Sequence, residues 1–281
     1  MSHIIHFTAL PSSTKVLIIT EGDVSFIGNN NFSHLLDLTL LRLSGNKIKK
    51  ILNGAFTNLT KLQTLVLDHN QISSTSITNG TFSSLRNLET LQLNSNHFGS
   101  VYGAWFGNTE RLIRLEINRN LITSLTHDSL GSNALHRLEH LDLSNNFISF
   151  IHEGTFQSLQ QLKGLDLSKN RLTKLPDVFS FLPHLILLNL GHNYWNCSCE
   201  LHQLAVFLRN YTYSTRRILR NRNGLQCSYS SNPAVVSLLQ LTDRNCRSKS
   251  YNITIIAREK NRGSTREGLL ISVLVITGRK R

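Results

Sequence analysis

Two histidines four residues apart, in the run His136-Arg137-Leu138-Glu139-His140, are the nearest approach to a metal site in this sequence. That spacing aligns two imidazoles only on a helix, where they would supply part of a zinc coordination shell. Leu138 between them begins an apolar unit in which the chain enters a strand, so no metal is expected there. Cys197, Cys199, Cys227 and Cys246 are the second candidate. Zinc ribbons place cysteines in C-x2-C pairs, whereas here C-x-C is followed at separations of 28 and 19 by single cysteines. An even number gathered into so short a stretch reads as two disulfides in an oxidising compartment, with three connectivities open. The sequence has no G-x-x-x-x-G-K-[ST] loop, no H-E-x-x-H helix and no G-x-S-x-G elbow. Neither catalysis nor a cofactor is expected.

What remains is a set of polar side chains at regular spacing. Arg114, Glu116 and Asn118 are followed 26 residues later by His140, Asp142 and Ser144, and Asp166 stands 24 beyond Asp142. If these residues share a face, Glu116, Asp142 and Asp166 repel one another, and a basic partner would relieve that repulsion. The seven are the expected partner-binding residues. Reversing Asp142 and Asp166 to lysine is expected to weaken binding while sparing the fold.

The element that must position them is a repeat. The pattern L-x-x-L-x-L-x-x-N-x-L begins at Leu38, Leu62, Leu88, Leu112, Leu138, Leu162 and Leu185, with starts 24, 26, 24, 26, 24 and 23 residues apart. A degenerate copy from Thr14 carries Gly22 in the asparagine position. Leucines two apart point to one side of a strand, and asparagine three residues later suits a turn. A single unit cannot bury its leucine face, so neighbours must stack. The asparagines Asn46, Asn70, Asn96, Asn120, Asn146, Asn170 and Asn193 are expected to satisfy backbone groups of adjacent coils. Phe32, Phe56, Phe82, Phe106, Phe156 and Phe179 fall six residues before their repeat starts and are expected to line the convex side of the core. The fifth repeat lacks its phenylalanine, with Leu130 the nearest substitute.

Charge is unevenly placed. The 281 residues carry a formal +13, but residues 1–196 hold 15 Lys and Arg against 13 Asp and Glu, and residues 197–281 hold 15 against 4. The excess therefore lies in the last third, where it could meet anionic surfaces.

From Asn193 the chain reads NYWNCSCELHQLAVFLRNY, and this resembles the cysteine-rich C-terminal flank of extracellular leucine-rich-repeat proteins, with Tyr194 in place of the usual proline. Leu201, Leu204, Ala205 and Leu208 have the spacing of one helical face laid over the last repeat. The resemblance implies Cys197–Cys227 and Cys199–Cys246 pairing. It also implies an α/β solenoid: a horseshoe with a curved parallel β-sheet on its concave face and a disulfide-stapled C-terminal cap. FTALPSSTKVLIIT resembles the end of the N-terminal flank of the same family, so the chain is expected to begin inside a longer protein. The strand around Val16–Ile19 is then expected to leave backbone and the apolar Ile4, Ile5 and Phe7 uncovered.

The expected organisation is a cap remnant over 1–13, eight repeats over 14–192, the cap over 193–246, a basic juxtamembrane linker over 247–267, and a membrane-anchor start over 268–281. Residues 268–278 are uncharged but span about half of the ~20 residues a bilayer requires. Sequons at Asn31, Asn58, Asn79, Asn210 and Asn252 are candidate glycosylation sites, none on an outward strand position; Asn196, beside Cys197, is a poorer acceptor. The implied function is a non-catalytic recognition module, secreted or on the outer face of the plasma membrane through a single anchor, that binds a protein ligand or receptor. Modulation of a membrane channel or receptor is the alternative class. Nucleic acid is not expected, and an anionic glycan is the alternative ligand for the basic C-terminal region.

Overall fold

The computed structural model describes residues 7–131 and 133–246. The linker and anchor regions, Ile4, Ile5 and Asn252 lie outside these residues.

Each repeat contributes one three-residue strand, because leucines two apart leave one face dry and the next residues wet. The strands are β1 (Val16–Ile18), β2 (Leu40–Arg42), β3 (Thr64–Val66), β4 (Thr90–Gln92), β5 (Arg114–Glu116), β6 (His140–Asp142), β7 (Gly164–Asp166) and β8 (Leu187–Asn189). A ninth, β9 (Ile218–Arg220), comes from the cap and pairs with β8. All nine run parallel in chain order, and the register sets equivalent residues side by side, as in Leu91 beside Leu115 beside Leu141. The core runs the length of the array: Leu65, Leu67, Leu91, Leu93, Leu115, Ile117, Leu141, Leu143, Leu165 and Leu167 are all buried.

The opposite side of each coil returns through turns and short 3-10 helices such as Gly103–Phe106 and Glu153–Phe156, with one α-helical turn at His127–Leu130. The phenylalanine ladder lies inside this layer. Phe32, Phe56, Phe82, Phe106, Phe156 and Phe179 are buried, and Leu130 fills the fifth place. Phe82 stacks between Phe56 and Phe106 at centroid distances of 6.1 and 6.2 Å. At the N-terminal end Phe7 is buried edge-on against Phe32, 4.8 Å between centroids, so the expectation that Phe7 stands uncovered is corrected. A ring needs only one neighbouring coil to lose its solvent contact.

The asparagines join coil to coil. The Nδ2 of Asn120 donates to the carbonyls of Leu93, Ile117 and Asn118, and its Oδ1 accepts from the amide of Phe98. Asn70, Asn96, Asn146 and Asn170 repeat this four-bond pattern. At the first rung Gly22 replaces asparagine, and a Cβ there would come within 2.7 Å of the Asn46 Oδ1. The residue before each rung has positive φ, whether it is Gly45 or the non-glycine Glu21, His69, Ser95, Arg119, Asn145, Lys169 or His192. Left-handed backbone is unfavourable for such residues. Glu21 adopts it although Gly22 follows, so the turn imposes this state with or without an asparagine.

The cap closes over the last coil. Leu201, Leu204, Ala205 and Leu208 are buried on and just before the helix His202–Tyr213, and Phe207 stacks flat on Phe179 at 4.5 Å. Cys197 is bonded to Cys227 and Cys199 to Cys246.

Two outcomes are expected. Asn120→Ala should lower unfolding free energy by about 1–3 kcal/mol, because buried carbonyls and an amide lose their partner; chemical denaturation checks this. Cys199→Ser should cost about 2–5 kcal/mol by the same measurement, since it reopens a loop of sequence separation 47.

Candidate concave recognition surface

The outward positions of the strands form two rows across the sheet. One row passes from Thr90 through Arg114, His140 and Gly164 to Leu187, and the other from Gln92 through Glu116, Asp142 and Asp166 to Asn189. The register thus brings six of the seven expected partner-binding residues, Arg114, Glu116, Asn118, His140, Asp142 and Asp166, onto one half of the concave face. Ser144 is the exception. It is only 7% exposed, its backbone amide donates to the Asp142 carboxylate, and its side chain does not project as expected.

The carboxylates are held by neighbouring coils and are not merely opposed to one another. Glu116 Oε2 accepts from Gln92 Nε2 at 3.2 Å and Asn94 Nδ2 at 3.1 Å, while its Oε1 lies 3.6 Å from Arg114. Asp142 accepts from Asn118 Nδ2 at 2.9 Å and from the Ser144 amide. Asp166 accepts from Asn189 Nδ2 at 2.8 Å and from the Ser168 amide. Asp68 belongs to the same net through the Asn94 amide, and burial raises its pKa above the ordinary carboxylate value. This corrects the expectation that charge reversal at Asp142 and Asp166 spares the fold: a lysine there would leave two backbone amides and two side-chain amides without acceptors.

Between these rows lies a depression of about 140 Å³, bordered by Arg114, His140, Asp142, Asp166, Asn189 and, from the cap strand, Arg220. Gly164 makes room for it. A Cβ at Gly164 would stand 2.8 Å from His140 Nδ1, so the missing side chain lets the imidazole lie across β7. Burial, followed by the nearby Arg114 cation, lowers the pKa of His140 below its ordinary 6.5. The neutral imidazole is therefore favoured, with the Arg114 and Lys163 cations and the Glu139 and Glu116 carboxylates acting on it. His136, its partner in the sequence motif, is exposed in a turn and lies 2.8 Å through Nδ1 from the Asn133 carbonyl. Among the described residues no three His, Cys, Asp or Glu side chains group as a metal site.

The leucine rich repeat pattern matches residues 12–72, 86–138 and 136–194. The chain belongs to the leucine-rich-repeat family. It is 64% identical over 258 residues to human leucine-rich repeat-containing protein 53, covering 91% of this chain and 21% of that protein. It is 60% identical over 275 residues to the Macaca fascicularis protein of the same name, covering 97% and 54%. The chain thus spans about a fifth of one relative and about half of the other. Among solved structures, human 5T4 (Wnt-activated inhibitory factor 1, trophoblast glycoprotein) superposes with a TM-score of 0.69 at 26% identity, over 88% of this chain and 91% of that one.

The other sequence candidates lie away from the concave sheet. Asn58, Asn79 and Asn210 are exposed, and Asn31 is half-buried with its Oδ1 accepting from the Gly28 amide. Among the described residues no helix is long and apolar enough to cross a membrane. Sequence reasoning missed Gly164, Asn189 and Arg220 as parts of the depression. A glycine at an outward strand position was the available signal.

His140 gives the site a pH signature. The folded chain resists protonation there, so below pH 6.5 the unfolded chain binds more protons and stability falls as the pH drops. The imidazole should titrate with a midpoint below 6.5 by NMR, and His140→Gln should shrink the loss of stability between neutral and mildly acidic pH.

Proposed function

We propose that the chain is a non-catalytic recognition module, working outside the cell, that binds a protein partner on the concave sheet around β5, β6 and β7. The observation that carries this reading is the fixed polar lattice. Glu116, Asp142 and Asp166 are already oriented by cross-coil amides, so a partner does not have to order them, and preorganised groups bind at lower entropic cost. Each carboxylate has remaining acceptor capacity beyond its internal bonds. A protruding lysine or arginine could reach Asp142 and Asp166 across the Gly164 notch, while the neutral imidazole of His140 offers a further hydrogen-bonding group without adding a competing cation.

Two features support a location in an oxidising compartment. Both disulfides close within the cap, and structural disulfides belong to oxidising compartments and are rare in the cytosol. The similar human structure is named a glycoprotein. In the proposed reading, Asn31, Asn58, Asn79 and Asn210 carry glycans on surfaces away from the concave face.

The test is a screen of the chain against receptor ectodomains, repeated with the Asp142→Asn/Asp166→Asn variant. That substitution keeps an oxygen for each backbone amide and removes the charge. Binding should weaken by about tenfold or more with little change in melting midpoint. A ligand that tolerates this variant but is lost on Arg216→Glu/Arg217→Glu would move the function to the cap.

A further inference from the structure

The flank that descends from the concave sheet has a different chemistry. At the first, third and fourth positions after each rung from Asn46 to Asn193, the sequence places no aspartate or glutamate. It places Lys47, Lys49 and Lys50 at one end, where Lys47 is paired with Asp23 of the first coil, and Arg171 and Lys174 towards the other, all exposed. Leu121, Phe147, Arg171 and Tyr194 are the residues directly after four consecutive rungs. Backbone bonds from Leu121 to Phe98, Phe147 to Ile122, Arg171 to Ile148 and Tyr194 to Leu172 hold the four in line.

Three members of this line are large and apolar yet wet: Leu121 is 46% exposed, Phe147 37% and Tyr194 57%. Their inward neighbours Ile122, Ile148 and Trp195 fill the core, so nothing in the coil requires outward apolar groups here. The guanidinium of Arg171 lies 4.5 Å over the Phe147 ring. Among the described residues it has no ion pair and donates no side-chain hydrogen bond. An arginine with one face held by an aromatic ring is oriented in advance, and its free N–H edge matches a carboxylate in two parallel bonds. Glu153 and Glu200 line a neighbouring cleft together with Phe150 and Lys174, so the acceptor-free cation on this line is Arg171 and not Lys174.

We propose that the Leu121–Phe147–Arg171–Tyr194 line is a second docking surface, for an acidic protein segment that interleaves carboxylates with apolar side chains. The occupant follows from complementarity. Aromatic rings and arginine are the side chains that dominate protein interfaces when they cluster. A polyanion such as a sulfated glycan would call instead for a longer run of cations, and three of these four positions carry none. The surface lies on a different side of each coil from the carboxylate rows of the concave sheet and selects the opposite charge. It therefore stands apart from the function proposed above.

The experiment uses the full chain and two synthetic peptides, one alternating glutamate with leucine and phenylalanine, the other with lysine in place of glutamate. The glutamate peptide should bind more tightly than the lysine peptide. Arg171→Glu and Phe147→Ser should each weaken it by about tenfold or more, with Arg171→Lys in between. Asp142→Asn/Asp166→Asn should leave this binding unchanged, which separates its failure from failure of the concave site. Melting midpoints near that of the parent confirm folded variants, because both side chains are exposed. Equal binding of the two peptides, or binding that survives both flank variants, overturns the proposal. So does tighter binding of heparin fragments that responds to Arg171→Glu but not to Phe147→Ser, which would identify an anionic polysaccharide as the occupant.

Discussion

One side-chain amide, repeated, holds this molecule together. An asparagine buried after each strand from β3 to β8 donates to carbonyls of its own coil and the preceding one, and accepts an amide from the preceding coil. Leucine packing alone would tolerate sliding, since apolar contact has no direction. The amide has direction, and an unpaired one in the core is costly. It therefore fixes the register, and the register in turn decides which outward side chains become neighbours. The concave lattice and the flank line are both consequences of it. Where the ladder begins on Gly22 instead of asparagine, the Asn46 Oδ1 is buried without a partner.

The sequence is most legible where physics repeats. Leucine and asparagine recur at spacings set by the coil, so strand positions, the buried phenylalanines and the helical face of the cap could be read directly. The ninth strand could not: Leu219 has neither the flanking leucines nor the asparagine of a repeat, and it joins the sheet because the cap brings it beside β8. The left-handed residues were also hidden, because types as different as Glu21, Arg119 and His192 occupy one backbone state imposed by the turn. The concave residues were legible as a set but not in their relations. That Asp142 is held by Asn118, and Asp166 by Asn189, depends on partners 24 and 23 residues away and on how the amides turn. Ser144 is a short side chain and is covered, whereas the longer Asn118 at the same position of the preceding coil reaches Asp142.

The two surfaces illustrate a division that a solenoid makes easy. Equivalent residues of successive coils stand side by side, so each position of the repeat forms its own row along the array. Chemistry can thus be segregated by position in the repeat with no long-range arrangement in the chain. Here carboxylates gather on the sheet, where amides from adjacent coils orient them. Cations and exposed aromatics gather on the flank, where Phe147 orients Arg171. Between the two, the net charge of the repeat region stays near zero although neither face is neutral.

The ladder and the two cystines also give the molecule a mechanical character. Each coil is bonded only to its neighbours, so a pull between the two ends of the array would load one interface at a time. Coils would peel off in succession, each releasing about 80 Å of contour for roughly 24 residues at about 3.4 Å apiece. The cap would behave differently. Cys197–Cys227 and Cys199–Cys246 carry load through covalent bonds, so the chain between them cannot be drawn out fully while they remain closed. A chain tethered at its C-terminal end and pulled at the other would thus lengthen from the free end inward, and the cap would keep its shape until the last coil had gone.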